Sequence, residues 1–270
     1  MNIIDILMCP ECKNSLSEGF LCKGCHSQYH FTKGIYDIVS QNLSGELLRY
    51  QQEVSDFLNK RRKTEKPKSN SEECNQAWQQ LYQKRRDFIN PLLSTLSGTV
   101  CDLATGGGTH LNRLLKVKSN DFNIVCIDVK MYPGLIPSNP RVYQVAGDAR
   151  YMPIKDNSFD YITSLSVFDN VSESDKVVKE MYRTLKPHGK IIIDGDYINK
   201  NDSKSYELAK SMKLEKGMVE EYLIRELENA GFKNIVSTII AEIRKERQEG
   251  LLPPVVGDMM YSYVLQAEKS

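Results

Sequence analysis

The sequence predicts an α/β fold in which helices cover a mostly parallel sheet, preceded by a small metal-stabilised module. From Thr99 onward, short apolar runs alternate with helical patterns, which is typical of a parallel sheet. The first of these runs breaks into three consecutive glycines, Gly106 to Gly108. Near the N-terminus, four of the seven cysteines form two close pairs, which indicates a metal site in a reducing compartment.

The chain of 270 residues is long enough for one sizeable α/β domain and a small extra module. Its formal net charge of +1 creates no global field that would recruit nucleic acid or an anionic membrane. No apolar run approaches the roughly 20 residues that span a bilayer, and the start of the chain is too short and too acidic for a signal peptide. We therefore expect a cytoplasmic protein without membrane contact.

Residues 1–40 are predicted to form a zinc ribbon. Cys9-Pro-Glu-Cys12 and Cys22-Lys-Gly-Cys25 are two turns that can place four thiolates about 2.3 Å from one zinc ion. Metal binding supplies folding free energy that so short a segment lacks, and four thiolates leave no open coordination position, so the zinc is structural. Two alternatives stay open: His26 replaces Cys25 as fourth ligand, or the cysteines form disulfides or idle thiols.

Residues 41–95 are predicted to form a helical linker region. Apolar residues recur at helical spacing before and after a basic segment, 59–73, which we expect to be a mobile loop. The second helix is predicted to end at Asn90-Pro91, with the sole tryptophan, Trp78, on its apolar stripe and therefore in the core. The basic segment could contact RNA phosphates, although a solvated segment is the commoner explanation of such a run.

Residues 96–270 are predicted to form the α/β domain. In such a sheet a ligand binds beyond the carboxyl ends of the strands, and the first strand-to-helix turn contributes the glycine loop. The pattern predicts strands over 100–103, 123–128, 142–145, 161–165 and 190–194, helices over 109–115, 175–185 and 218–230, and two final strands over 234–243 and 260–266.

Several polar residues fall at those strand ends. The glycine turn lets the backbone approach a ligand, and the helix that follows points unpaired N–H groups at an anionic group. Asp128 closes the second strand, where a carboxylate can accept hydrogen bonds from both hydroxyls of a ribose; a helix N-cap is its alternative role. Asp148 and Ala149 follow the third strand, where a carboxylate and a backbone N–H could read the edge of an adenine.

The glycine turn departs from the dinucleotide fingerprint G-x-G-x-x-G, because Leu111 stands at the third glycine position and Asp102 precedes the glycines by four residues. Residues 102–108, 147–149 and 152–161 together resemble class I S-adenosylmethionine-dependent methyltransferases of the type 11-like group. The run Asp-Leu-Ala-Thr-Gly is similar to that of quinone-biosynthesis methyltransferases. The resemblance implies a Rossmann-like methyltransferase sheet, mostly parallel, that ends in an antiparallel hairpin.

By this resemblance the cofactor is S-adenosyl-L-methionine. Its methionine part would be held by Asp102 and the glycine turn, its ribose by Asp128, and its adenine by Asp148 with Ala149. An acceptor for the ammonium group and N–H donors for the carboxylate agree with that assignment. The full set of cofactor-binding residues that the resemblance implies is Asp102, Ala104, Thr105, Gly106, Gly108, Asp128, Val129, Asp148, Ala149 and Ser164.

Methyl transfer from a sulfonium is an in-line displacement with an activated leaving group. The enzyme therefore mainly aligns the acceptor and removes water, and no recognisable triad is required. Each catalytic candidate could equally be a capping or solvated side chain. If the acceptor must lose a proton, the candidates near the strand ends are Asp169, Asp194 and Tyr151, followed by Asn170, Asp196 and Tyr197.

The sequence leaves alternatives for the methyl acceptor and for the partners. A zinc ribbon before such a domain is similar in layout to large-subunit ribosomal RNA guanine-N1 methyltransferases, although those have a Cys-x-x-x-His second half where this chain has Cys22 to Cys25. The acceptor is thus a small molecule or RNA, and a non-catalytic adaptor that acts through the zinc module is the alternative from another class. The apolar run 251–256 could close over a substrate, pack on the fold or form a homodimer contact.

Overall fold

The computed structural model describes residues 1–40, 72–106, 108, 110–116, 122–131, 134, 139–245 and 253–270, with the backbone alone at 72–75, 77, 78 and 203. The first predicted helix of the linker region and nearly all of the basic segment 59–73 therefore lie outside the described residues, as does the side chain of Trp78. Among the residues described, no helix is both long enough and apolar enough to span a membrane.

Helices and strands alternate along the chain as predicted. The helices are α1 (Glu72–Leu93), α2 (Leu111–Leu114), α3 (Ser174–Thr184), α4 (Ser203–Ser211), α5 (Glu215–Met218) and α6 (Glu220–Ala230). The strands are β1 (His30–Thr32), β2 (Ile35–Asp37), β3 (Thr99–Leu103), β4 (Asn123–Asp128), β5 (Val142–Ala146), β6 (Phe159–Leu165), β7 (Leu185–Ile198), β8 (Phe232–Arg244) and β9 (Met259–Lys269).

The described strands form one nine-stranded sheet in the order β1-β2-β5-β4-β3-β6-β7-β9-β8. Neighbouring strands from β2 to β7 run parallel, whereas β9 lies antiparallel between β7 and β8. The strand order reverses at β3, and in open sheets the ligand crevice lies at such a reversal, beyond the carboxyl ends. The predicted α/β class and the C-terminal antiparallel pair are confirmed.

Several element boundaries differ from the prediction. The largest difference among the strands is β7, predicted over 190–194, which extends over Leu185–Ile198. Helix α1 continues past Pro91 instead of ending there, because a proline in the last turn removes only one helical hydrogen bond. The helix predicted over 109–115 is reduced to the single turn α2. The helix predicted over 218–230 is α6, with the separate turn α5 before it, because Val219 between them is extended.

The N-terminal module is joined to the main sheet. Its β1–β2 hairpin adds to β5 in parallel register, with Ile35 opposite Gln144 and Asp37 opposite Ala146. The N–H of Ile38 continues this ladder by donating to the carbonyl of Ala146 (3.0 Å). The sequence predicted two modules without this pairing, because the strand that a hairpin joins depends on contacts far apart in the chain.

Successive residues of β4 alternate between two apolar clusters, so each face of the sheet carries its own core. One cluster combines residues of α3 and α6 with residues of the N-terminal module such as Leu7 and Ile38. The other cluster packs α1 and α2 on the opposite face. The N-terminal module therefore shares a core with the α/β domain.

Ile38 is fully buried in that shared core. Replacing it with alanine, Ile38→Ala, is expected to lower the free energy of unfolding by about 2 to 5 kcal/mol, because buried methyl groups are lost and a cavity remains. The matched control is Ile239→Ala on β8, a residue that is 38% exposed. The free energy of unfolding of this control is expected to fall by less than about 1 kcal/mol. Urea unfolding of the full chain measures both, and equal losses would contradict the shared core.

Candidate functional site

The turn after β3 brings the backbone to an open surface. Ala104, Gly106 and Gly108 have positive φ angles of 60°, 55° and 77°, a left-handed conformation that favours glycine. The N–H of Ala104 donates to the carbonyl of Ile127 (2.7 Å), which fixes the turn against the end of β4. A Cβ added at Gly106 would meet no atom of the described residues within 4 Å, so a ligand can approach the backbone here.

Asp102 lies at the end of β3 beside this turn and is 2% exposed. Its carboxylate accepts hydrogen bonds from the hydroxyls of Thr105 (3.0 Å) and Thr163 (3.3 Å), both of them neutral partners. Burial raises the pKa of Asp102 to about 6, although the two hydroxyls act to lower it. A cation bound beside this carboxylate would favour its ionised form. The position is therefore suited to a positively charged group of a ligand.

Asp128 ends β4 and faces the same turn. Its Oδ2 atom accepts a hydrogen bond from Gly106 N–H (2.8 Å), and its Oδ1 atom accepts one from Lys130 N–H (3.1 Å). Burial raises the pKa of Asp128, and the bond from Gly106 opposes the rise. None of the described helices begins at Asp128, so the N-cap alternative is not supported. Each carboxylate oxygen keeps a lone pair for a further donor, such as a hydroxyl group.

Asp148 and Ala149 begin a short 3₁₀ turn, Ala149–Tyr151, after β5. Both carboxylate oxygens of Asp148 accept hydrogen bonds from the guanidinium of Arg150 (2.7 and 3.0 Å). The same guanidinium donates to Glu173 (3.0 Å). To contact an adenine, Asp148 must therefore accept a further hydrogen bond while it remains paired with Arg150. The adenine-binding role of Asp148 stays a prediction.

Ser164 and Val129 complete the predicted cofactor set. Ser164 is 1% exposed near the end of β6, and its hydroxyl has no hydrogen-bond partner in the described part of the chain. A buried polar atom of this kind calls for a ligand or a water molecule. Val129 is half-buried directly after Asp128. The structure thus places the cofactor candidates at the carboxyl ends of four neighbouring strands, β5, β4, β3 and β6.

A second polar cluster lies at the ends of β6 and β7, around Asp169, Asp194 and Asp196. Asp194 is 1% exposed and accepts a hydrogen bond from Ser166 N–H. Asp169 belongs to the 3₁₀ turn Phe168–Asn170, and its Oδ1 atom is buried without a partner among the described residues. Burial, and then the negative charge of Asp196, raises the pKa of Asp169 to about 8. This carboxyl is therefore mostly neutral at pH 7.

Arg85 of α1 balances the charge of this cluster. It is 6% exposed, and its guanidinium donates to the carboxylate of Asp196, to the carbonyl of Gly195 and to the hydroxyl of Ser262. These hydrogen bonds offset the cost of removing a charged group from water. Burial raises the pKa of Asp194, and the charge of Arg85 opposes the rise. Helix α1, which lies within the predicted linker region 41–95, is thus part of the site.

Asp169 and Tyr263 converge on Gly195. A Cβ added at Gly195 would lie 3.2 Å from both the Oδ1 atom of Asp169 and the hydroxyl oxygen of Tyr263, so any side chain there would enter the space that these atoms face. The Tyr263 hydroxyl is also buried without a partner in the described structure. The ring of Tyr263 stacks on Tyr197, with centroids 3.6 Å apart.

His110 stands between the glycine turn and α2. Its Nδ1 atom lies 3.4 Å from the guanidinium of Arg113. Burial, and then the charges of Arg113 and Arg85, lowers the pKa of His110 to about 4. The imidazole is therefore neutral at physiological pH.

The other catalytic candidates have different surroundings. The hydroxyl of Tyr151 accepts a hydrogen bond from the ammonium of Lys176 (3.4 Å), which also lies over its ring. Tyr197 is 2% exposed and belongs to the core. Asn170 is half-buried in the same turn as Asp169. The structure thus brings the three aspartates together, stacks Tyr197 on Tyr263 beside them and leaves Tyr151 in contact with Lys176.

The four cysteines of the N-terminal module also converge. All four Sγ atoms lie within 4.8 Å of one another, with Cys9 to Cys25 at 3.5 Å and Cys12 to Cys22 at 3.3 Å. Thiolates bound tetrahedrally about 2.3 Å from a zinc ion are about 3.8 Å apart, so the cluster fits such an ion. The four residues are free cysteines, which does not support the disulfide alternative.

The two cysteine turns have the same conformation. The residue after each pair, Lys13 or His26, has a positive φ angle, 62° or 60°. Its N–H donates to the carbonyl of the first cysteine of the pair, at 2.9 Å for Lys13 and 3.2 Å for His26. His26 is therefore the counterpart of Lys13, and the ligand atoms that come together in the described structure are the four sulfurs.

Residues 101–193 match the family model for a methyltransferase domain. The match begins in β3 and ends in β7. It therefore contains every cofactor-binding residue that the sequence predicted, together with Asp169 and Tyr151. The match thus covers the strand ends that carry the cofactor candidates, whereas Arg85, Asp194 and Tyr263 of the second polar cluster lie outside it.

Curated relatives of this domain are also methyltransferases. A demethylmenaquinone methyltransferase of Renibacterium salmoninarum is 35% identical over 113 residues, which cover 40% of this chain and 46% of that protein. A ubiquinone/menaquinone biosynthesis C-methyltransferase of Rickettsia typhi is 29% identical over 121 residues, which cover 40% of this chain and 48% of that protein. The chain thus spans about half the length of these relatives.

A solved structure shows the same fold. The structure of Haemonchus contortus phosphoethanolamine N-methyltransferase 2 in complex with S-adenosyl-L-methionine matches with a TM-score of 0.51 and 17% sequence identity. The match covers 71% of this chain and 52% of that chain. The α/β domain therefore has the fold of a methyltransferase domain.

Sequence reasoning missed several residues of the site. Arg85 contacts an aspartate 111 residues later, a separation that no motif spacing reveals. One signal was available: Arg85 lies at helical spacing between Leu81 and Ile89, which are both buried, and an arginine on a buried stripe needs a partner. The residues missed are Arg85, His110, Thr163, Gly195 and Tyr263.

The substitution Asp169→Asn is expected to change the pH dependence of the free energy of unfolding. The folded pKa of about 8 lies above the unfolded value of about 3.9. The neutral carboxyl therefore contributes stability that is fully present below about pH 4 and is lost as the pH rises through about 8. Because an amide does not titrate, the variant should gain stability relative to the parent protein between about pH 5 and about pH 8. Urea unfolding measures this, and parallel pH profiles would contradict the buried neutral carboxyl.

Proposed function

We propose that this chain is an S-adenosylmethionine-dependent methyltransferase. The observation that carries the proposal is the placement of Asp102 and Asp128 beside the open turn at Gly106. A buried carboxylate, a second one at the next strand end and backbone N–H groups match a ligand with an ammonium, a ribose and a carboxylate but no pyrophosphate. The methyltransferase-domain match over 101–193 and the curated methyltransferases support the proposal.

The residues present fit this cofactor. Asp102 would hold the ammonium, whose charge brings the pKa of the buried carboxyl back toward its usual range. The open space at Gly106 leaves room for the methionine part, and Asp128 would accept hydrogen bonds from the ribose hydroxyls. The segment with Asp148 and Ala149 would hold the adenine. When bound, the cofactor supplies an electrophilic methyl group on a sulfonium centre.

The cluster around Asp169, Gly195 and Tyr263 is the proposed binding site for the methyl acceptor. A hydroxyl or amine acceptor loses a proton when it is methylated. Asp169 is suited to hold that proton, because a pKa of about 8 makes both of its protonation states accessible near physiological pH. The ion pair of Arg85 with Asp196 keeps the neighbouring surface polar without adding net charge.

A small uncharged molecule is the acceptor class that we favour. The curated relatives are named for demethylmenaquinone and for ubiquinone and menaquinone biosynthesis. A neutral His110 and an Arg85 already paired with Asp196 favour an uncharged acceptor over the phosphates of RNA. Ribosomal RNA is the alternative acceptor, and most of the basic segment 59–73 that would contact it lies outside the described residues.

Transfer of a labelled methyl group tests this function. The full chain is incubated with labelled S-adenosylmethionine and either total RNA or a small-molecule cell extract. Label in the small-molecule fraction is the expected result, whereas label in RNA would establish the ribosomal alternative. If neither acceptor pool is labelled, calorimetry measures whether the chain binds S-adenosylmethionine and S-adenosylhomocysteine. Binding without transfer to either acceptor pool would favour the adaptor, and binding of neither ligand would contradict the proposal.

One structural zinc ion in the cysteine cluster is also proposed. The sulfur separations and the matching conformations of the two turns support it. The ligands would be Cys9, Cys12, Cys22 and Cys25. Four thiolates leave no open coordination position, so this zinc would stabilise the fold without taking part in methyl transfer.

A homodimer through the run 251–256 and a cytoplasmic location stay predictions. In the described part of that run, Pro253 and Pro254 are buried, and the N–H of Val255 donates to the hydroxyl of Ser205 on α4 (2.9 Å). These contacts favour the alternative in which the run 251–256 packs on the rest of its own chain over closure on a substrate or a homodimer contact.

The substitution Gly106→Ala is expected to weaken the binding of S-adenosylhomocysteine by about tenfold or more. Its methyl group would occupy the space that the cofactor needs. The matched control is Gly257→Ala, because Gly257 also has a positive φ angle, 94°, and no described atom within 4 Å of an added Cβ, yet it lies outside the matched domain. Both variants should lose about 1 to 2 kcal/mol of stability, because alanine is strained in the left-handed region. Calorimetry measures the affinities, and equal values for both variants would contradict the cofactor assignment.

The ligand set of the cysteine cluster is tested by Cys25→Ser and His26→Ala. The parent protein is expected to contain one zinc per chain by atomic emission. Cys25→Ser should lose most of this zinc, because a thiolate ligand is removed, whereas His26→Ala should keep it. The opposite pattern would identify His26 as the fourth ligand.

A further inference from the structure

The ribbon holds both ends of segment 146–155, which carries the proposed adenine-binding residues. At the start of the segment, the carbonyl of its first residue accepts a hydrogen bond from Ile38 N–H (3.0 Å). At its other end, the backbones of Ile6 and Met8 make two further hydrogen bonds to it (2.8 and 3.0 Å). The path of segment 146–155 therefore depends on where the ribbon lies.

These ribbon contacts adjoin the first cysteine turn. Leu7, two residues before Cys9, forms an isolated β-bridge with Ile154, and both residues are fully buried. The two cysteine turns and this bridge belong to one apolar cluster, in which the hydroxyl of Tyr29 lies 3.1 Å from the Sγ atom of Cys9. The position of Leu7 thus depends on the closure of the cysteine cluster.

Gly147 connects these ribbon contacts to the proposed cofactor-binding residues. An added Cβ at Gly147 would lie 2.8 Å from the ring of Pro153, so the two ends of the segment are packed together. The N–H of Gly147 donates to the carbonyl of Asp128 (3.0 Å), and Asp148 follows it directly. The ribbon contacts, the close packing of Gly147 on Pro153 and the two acidic residues, Asp128 and Asp148, form one continuous set of contacts.

We infer that the metal-bound ribbon positions segment 146–155 for the cofactor, so that loss of the metal weakens cofactor binding. This inference rests on the proposed function, because it takes S-adenosylmethionine as the cofactor. Without its metal, the ribbon lacks the free energy to stay folded by itself. The segment must then be ordered when the cofactor binds, and the cost of that ordering lowers the affinity. The cysteine cluster therefore acts on affinity as well as on stability.

The test compares the full chain with and without its metal. Zinc is removed with a chelator under reducing conditions, its content is measured by atomic emission, and the dissociation constant of S-adenosylhomocysteine is measured by calorimetry. We expect binding at least about tenfold weaker without zinc, with recovery when zinc is restored. Hydrogen exchange, measured on the same samples, should increase in β2 and in residues 142–155 and stay unchanged in β7 and β9.

Two variants test the contact path while the zinc stays in place. Gly147→Ala would drive a methyl group into Pro153, so it should weaken S-adenosylhomocysteine binding and keep the zinc. The matched control is Gly19→Ala in the ribbon, where an added Cβ has only Ser17 at 3.9 Å nearby among the described residues. This control should keep both zinc and affinity.

Three results would overturn the inference: an equal dissociation constant with and without zinc, an unchanged affinity in Gly147→Ala, or a loss of exchange protection throughout the sheet, β7 and β9 included. The last would show that the metal supports the whole domain and does not act on this segment. A zinc-loaded parent protein that binds no S-adenosylhomocysteine would instead contradict the proposed function. The two failures are therefore distinguishable.

Discussion

The parallel pairing of β3 with β4 is the constraint on which the site depends. It places Leu103 opposite Ile127, so that the residues following both strands emerge at the same edge of the sheet. The hydrogen bond from Gly106 N–H to Asp128 then closes the glycine turn against the neighbouring strand. Because β5 and β6 run in the same direction, their polar ends join the same edge. A strand in the opposite direction would carry its polar end to the other side of the molecule.

The carboxyl groups at this edge of the sheet lower the stability of the folded protein. Burial raises the pKa of Asp102, Asp128, Asp169 and Asp194, so each carboxyl is less stable as an ion here than in water. Well-packed apolar residues would serve stability at least as well as a buried ion pair such as Arg85 with Asp196. Desolvated carboxyls that gather at strand ends are instead typical of a site for binding and chemistry. A bound cation and a proton-losing acceptor are what this arrangement is suited to hold.

The sequence predicted those features whose signal is local. The two cysteines of each pair are three residues apart, and Asp102 precedes the glycine turn by four residues. Asp128 was found because it ends an apolar run. Arg85 and Tyr263 escaped prediction because their roles arise only when α1 and β9 pack against β7. The pairing of the N-terminal module with β5 escaped prediction for the same reason. Helix α4 was not predicted because its segment is mostly polar and lacks a sustained apolar stripe.

The central claim is that the strand ends of the methyltransferase-like domain bind S-adenosylmethionine, with the ribose at Asp128. A crystal structure of the full chain with S-adenosylhomocysteine tests it most directly. We expect the ribose hydroxyls within hydrogen-bond distance of Asp128, the amino group near Asp102 and the backbone of Gly106 against the methionine part. A ligand bound elsewhere, or an Asp128 carboxylate without contact to the ribose, would contradict it.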